Sequence, residues 1–219
     1  MRRRLFIIPI IAVAIAFGLW QNARVPEPTV LSFGVGQTFD EVVKNSTYPV
    51  MDKPGVSKKT LRESGGIWVT EPAVIIRFND PQHGFTLPPT KFASLLFLDD
   101  RVATLATSPM LDKLPFDQAV EVLENLQNQF KAGGWEPWRA NDHEWFDFSP
   151  EGRKRLHEEM FAPGWSRTEI LRVPNKYSMT FRFKCAAGFN RREPPYLFLI
   201  DIGLAHDFYA DNARIHPVN

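Results

Sequence analysis

Pro115-Phe116-Asp117-Gln118-Ala119-Val120-Glu121-Val122-Leu123-Glu124-Asn125-Leu126-Gln127-Asn128-Gln129-Phe130-Lys131-Ala132-Gly133-Gly134 is the stretch around which the rest of the chain organises. Phe116, Ala119, Val120, Leu123, Gln127 and Phe130 fall on one stripe of an α-helix, with Leu126 beside it. Pro115, whose ring fixes φ and which lacks an N–H, suits the first helical position, and Gly133-Gly134 supply the stop. A helix with one apolar stripe must lay that stripe against another element.

The flanking sequence supplies strands for it to cover. Upstream, Thr38-Phe39-Asp40-Glu41 matches a capping box and opens a short helix running to about Lys44. Ile67–Val69, Ala73–Phe78, Phe92–Leu98 and Val102–Ala106 come next as β-branched or aromatic runs, punctuated by Glu71-Pro72, Asn79-Asp80-Pro81 and Asp99-Asp100-Arg101, the last read as a tight hairpin. Downstream, Ser149 as cap and Pro150 at the first position open a helix to about Phe161, with Leu156 and Met160 facing inward. Ile170–Val173, Tyr177–Ala186 and Tyr196–Leu204 then read as strands. Helix-then-strands therefore occurs twice, which predicts an α+β domain of two helix-plus-antiparallel-strand halves, 33–112 and 113–219, on one core or with one sheet each. No sequence identity between the halves makes them a repeat.

The first twenty residues bear on location. Arg2, Arg3 and Arg4 precede an uncharged run from Leu5 to Trp20, and cations held on the cytoplasmic side direct the rest of the chain across the membrane. About 16 residues at ~1.5 Å each reach roughly 24 Å, a little short of a ~30 Å hydrocarbon core that flanking residues can complete. We read residues 1–20 as a retained single-pass anchor helix; Ala14-Ile15-Ala16 is a small-x-small site that leaves a cleaved signal peptide as the alternative. Residues 21–32, with Val25-Pro26-Glu27-Pro28, read as a tether, and 33–219 as the exported domain. The expected location is the periplasmic face of the inner membrane, or the periplasm after cleavage.

Composition narrows the partners. Setting aside the three leading arginines leaves 23 of the 26 basic residues against 25 acidic ones, a charge near −2 that argues against a nucleic-acid surface. The one cysteine, Cys185, cannot form an intrachain disulfide, so the fold relies on burial.

Catalytic signatures do not emerge. There is no G-x-S-x-G, H-E-x-x-H, G-x-x-x-x-G-K or cysteine pair with metal spacing, so no catalytic residue, cofactor or metal is assigned. Gly34-Val35-Gly36 lacks the third glycine of a dinucleotide loop and suits a strand-to-helix turn. His83, His143, His157, His206 and His216 are dispersed; His206-Asp207 with Asp211 is outweighed as a metal site by the reading of a polar tail. Cys185, among alternating Phe181, Phe183 and Ala187, reads as a packed thiol. Asp99 and Asp100 read as solvated turn residues.

Two regions suit binding to a protein partner. Asn79 to Phe85, running on to Pro88-Pro89, contains three prolines that reduce the entropy lost on docking, with Asp80, His83 and Phe85 as candidate contacts. Trp135 to Phe148 interleaves aromatics with charges between two helices, with Trp138, Asp142, His143 and Trp145 as candidate contacts, while about half of its aromatics are expected to cap the core. Docking of the same tryptophans at a membrane surface is a third use of this cluster.

Phe33-Gly34-Val35-Gly36-Gln37-Thr38-Phe39-Asp40-Glu41-Val42, His83-Gly84-Phe85-Thr86-Leu87-Pro88-Pro89, and Leu114 to Ala119 with Ala132-Gly133-Gly134-Trp135 together resemble the periplasmic immunity proteins paired with type VI secretion lipase effectors. The similarity spans most of the exported region. It implies a non-enzymatic, inner-membrane-tethered protein that binds a phospholipase toxin in the periplasm and blocks its active site, and it brings no catalytic residue with it. Two other classes stay open: an envelope assembly or scaffold protein, and an exported hydrolase joining His206 or His83 to a carboxylate.

Overall fold

The computed structural model describes residues 29–52, 64–69, 71–161, 166–186 and 196–208. In chain order the elements are β1 (Thr29–Phe33), α1 (Phe39–Asn45), a 3-10 turn (Val50–Asp52), β2 (Ser64–Val69), β3 (Val74–Phe78), β4 (Phe85–Thr86), β5 (Ala93–Leu98) and β6 (Arg101–Thr107). They continue with α2 (Phe116–Ala132), β7 (Glu136–Pro137), a 3-10 turn (Arg139–Asn141), α3 (Pro150–Glu159), β8 (Ser166–Val173), β9 (Tyr177–Cys185) and β10 (Phe198–His206).

The expected fold class is corrected on two counts. With ten strands and three α-helices among the described residues, the domain is mostly β-sheet, and it is not divided into halves. One seven-stranded sheet, ordered β2-β5-β6-β10-β9-β8-β7, takes strands from both expected halves. They meet where β6 pairs antiparallel with β10, Leu105 facing Leu204. Joining them removes two sheet edges whose backbone groups would otherwise lack partners. A second sheet, β1-β3-β4, pairs β1 with β3 in parallel, and β1 begins at Thr29, inside the stretch read as a tether. The anchor helix expected over residues 5–20 lies outside the described residues, among which no helix is long and apolar enough to cross a membrane.

Local chemistry accounts for the turns and caps. Asp99 and Asp100 both take positive φ (50° and 63°), the geometry of a two-residue hairpin turn, so Arg101 belongs to β6 rather than to the turn. Thr38 and Glu41 form the capping box, with the Thr38 amide donating to Glu41 Oε2 at 2.8 Å. Pro115, expected at the first helical position, sits instead at the cap with ψ 157°, and α2 begins one residue later at Phe116. Ser149 Oγ accepts from the Gly152 amide at 3.1 Å and caps α3.

The α2 stripe covers one face of the seven-stranded sheet. Ala119, Val120, Leu123, Leu126 and Phe130 are buried, and Phe130 meets Phe181 of β9 edge to face with centroids 5.2 Å apart. The smaller sheet joins this core through Phe78, whose ring lies 5.3 Å from Phe85 and 5.0 Å from Tyr177. Each such aromatic contributes about 1.5–3 kcal/mol on full burial. Cys185 is part of the core at 6% exposure.

Candidate partner-binding site

The segment from Asn79 to Pro89 is a structural clip. Asp80 Oδ1 accepts from the amides of Gln82 (2.9 Å) and His83 (2.7 Å), and Oδ2 accepts from the Tyr177 hydroxyl at 2.8 Å. Burial pushes the Asp80 carboxyl up, but the two amides, the tyrosine hydroxyl and the His83 charge together hold it below its ordinary value. The same burial, with the Asp80 bond and charge, pushes the Tyr177 hydroxyl up to about 12.

His83 Nδ1 lies 2.8 Å from the Gly133 carbonyl, which can only accept, so the ring donates from Nδ1. The His83 carbonyl accepts from Trp135 Nε1 at 2.9 Å. The loop thereby ties the end of α2 to the smaller sheet. Gln129 of α2 adds two bonds to the Thr86 backbone, accepting from its amide at 2.6 Å and donating to its carbonyl at 3.0 Å. Gly84 is required here, since an added Cβ would meet the backbone carbonyls of Asp80 and Phe78, the latter at 2.8 Å.

The structure places the expected contacts of this first region inside the fold. His83 and Phe85 are each 5% exposed and belong to the core, and Asp80 directs its carboxylate inward. The stiffness expected of the loop serves internal packing, because a polar turn with two satisfied amides can be buried against aromatic rings.

The second region behaves differently. Trp135 (2%) and Phe146 (3%) are buried, whereas Trp138, His143, Trp145 and Phe148 are partly exposed and Asp142 is exposed. Pro137, Arg139, Asp142, His143, Glu144 and Trp145 line a depression of about 420 Å³. Three of the four expected residues thus share one surface feature, and Trp138 stacks on His143 with ring centroids 6.5 Å apart. Asp142 turns the chain here with φ 56°.

Several side chains outside the loop fix its shape. Glu169 of β8 is buried, at 5% exposure, and accepts from Arg167 Nε (2.7 Å), the Glu144 amide (3.0 Å) and His143 Nδ1 (3.1 Å). Gln127, at 2% exposure, donates to the Phe146 carbonyl at 3.0 Å and accepts from its amide at 2.8 Å. Trp138 packs under the Arg172 guanidinium, 5.5 Å from its ring centroid. Arg172 forms a bidentate pair with fully buried Asp207, at 3.0 and 2.5 Å, and Asp207 also accepts from the Asn175 amide.

Glu169 and Gln127 are the residues that sequence reasoning missed. A carboxylate at an inward strand position and an amide inside an apolar helical stripe are the signals that point to them. Asp207, read as part of a polar tail, is fully buried and accepts from Arg172 and Asn175, and Asp211 lies outside the described residues. No group of three or more metal-ligating side chains occurs among the described residues.

The arrangement offers partly exposed tryptophans and charges of both signs on a loop braced from β8 and α2, geometry suited to docking a protein surface. No family model matches the chain, and no match to it is found among curated proteins or among solved structures.

Proposed function

We propose that this domain is a periplasmic immunity protein that binds a lipid-cleaving toxin of a type VI secretion system and blocks its active site, using the loop from Trp138 to Trp145 as its contact. The observation that carries the reading is the bracing of that loop. Trp138 packs against both Arg172 and His143, and the backbone flanking Trp145 is held by Glu169, through the Glu144 amide, and by Gln127, through Phe146. Aromatic side chains held before binding lose little entropy on docking, which is what a tight inhibitor needs. The mixed charges of Arg139, Asp142 and Glu144 around the depression supply a polar rim. The choice of toxin class rests on the resemblance of the Phe33–Val42, His83–Pro89 and Leu114–Trp135 segments.

The test is titration of the full chain into a secreted type VI lipase, any encoded beside it being tried first, with hydrolysis of phospholipid vesicles monitored throughout. Arrest of hydrolysis near equimolar addition, relieved by Trp138→Ala or Trp145→Ala, is the expected result. Hydrolysis unaffected at excess inhibitor, with no complex formed, would overturn the proposal.

A further inference from the structure

The two ends of the seven-stranded sheet are built differently. At one end β7 is two residues long and contains Pro137, and the neighbouring stretch of β8 carries Arg167 and Glu169. Brevity, proline and charge all discourage a further strand. At the other end β2 reads Ser64-Gly65-Gly66-Ile67-Trp68-Val69, without a charge or a proline, and runs in unbroken register with β5. Among the described residues no strand lies on its other side.

The pairing of β2 with β5 follows a size rule. Gly65 faces Phe97, Gly66 faces Leu96, Trp68 faces Ser94 and Val69 faces Ala93, each a large side chain against a small residue, while the central pair, Ile67 with Leu95, sets two large side chains together. Gly66 is held to that rule, since an added Cβ would lie 2.9 Å from both the Leu96 and the Trp68 side chains. The free side of β2 obeys the same rule when set against itself. In the antiparallel register that places Ile67 opposite Ile67 of the partner subunit, Trp68 falls opposite Gly66 and Val69 opposite Gly65. Opposed residues in an antiparallel pair share a face, and this register keeps Gly65, Ile67 and Val69 inward and Gly66 and Trp68 outward in both copies. A slip by one residue would set inward residues against outward ones.

We infer that β2 is the seam of a two-fold homodimer in which two copies of this chain join their seven-stranded sheets edge to edge. On the outer face beside the seam stand Trp68, Leu96 and Leu98, exposed at 57%, 41% and 58%, and the two sets merge across the axis into one apolar stripe. The contact is isologous, and the blunted β7 end offers no second joint, so growth stops at two.

The test is light scattering on the full chain in mild detergent, with detergent mass subtracted, from low to high micromolar concentration. The expected result is a mass rising to two chains, with backbone hydrogen exchange at residues 64–69 slowing over the same range. Trp68→Lys and, as an independent variant, Leu98→Lys replace outer-face side chains that the core does not use. Each is expected to weaken association by at least about tenfold, while Leu111→Lys, at a 46% exposed position off this edge, leaves it unchanged. A single-chain mass at every concentration overturns the inference. So does a dimer that both edge variants leave intact, or one whose residues 64–69 exchange at the same rate at all concentrations.

Discussion

A methyl group at Gly84 would collide with backbone carbonyls that cannot rotate away, so Gly84→Ala is expected to cost about 1–3 kcal/mol in urea unfolding. Gly36, at φ 82°, has open space around it, and alanine there meets only backbone strain. Glu169→Ala leaves the His143 ring and the Glu144 amide without their acceptor and Arg167 without its closest one. The expected loss is about 1–3 kcal/mol, accompanied by faster amide exchange from Asp142 to Trp145 and, on the proposed function, by weaker inhibition of the lipase. The Asp80–Tyr177 bond contributes to the pH response at both ends of the scale. Because the folded Tyr177 hydroxyl titrates near 12 and the unfolded one near 10, its contribution is intact below 10 and is lost as pH rises through 12. Asp80 acts in the opposite sense: its lowered carboxyl stabilises above the usual carboxylate range, and that contribution fades as pH falls through the folded value. Thermal melts of the wild type and Tyr177→Phe should differ in alkaline slope between about 10 and 12, with the variant flatter.

At the scale of elements, legibility followed periodicity. The α2 stripe was readable because Phe116 to Phe130 repeats at helical spacing, and Leu123, at 0% exposure beneath it, is expected to cost about 2–5 kcal/mol when changed to alanine, measured by chemical denaturation. The α1 capping box and the Ser149 cap were legible because a short side chain must satisfy a nearby amide. Strands whose partners lie elsewhere were not. β1 is five residues behind a proline-rich segment, and β4 and β7 are two residues each, too short for any alternation to show. β8 extends back to Ser166 through Arg167, Thr168 and Glu169, ahead of the expected start at Ile170, because the neutralising Arg167–Glu169 pair is a property of the folded arrangement. Of the candidate contacts, the Trp138–Trp145 set was legible as a surface from its interleaved charges. The burial of His83 and Phe85 was not, because it depends on Phe130, Gly133 and Trp135 arriving from the far end of α2, with His83 reaching 50 and 52 residues along the chain for its two bonds.

For the molecule as a whole, the separation of β6 from β10 in sequence and their adjacency in space defeated the two-half reading. Nothing in either stretch states which strand it will pair with; each buries apolar side chains on one face, a pattern that fits any strand against this core. β5 and β6 form a local hairpin, as do β8 and β9, but the strand that unites them is the last of the ten in chain order. Until β10 arrives, a growing chain leaves the β6 and β9 edges unpaired, and the pairing of β6 with β10 is a long-range contact of the kind that forms slowly. Such a chain carries open strand edges through most of its synthesis, so its exposure to wrong pairing should end abruptly once the final strand is delivered.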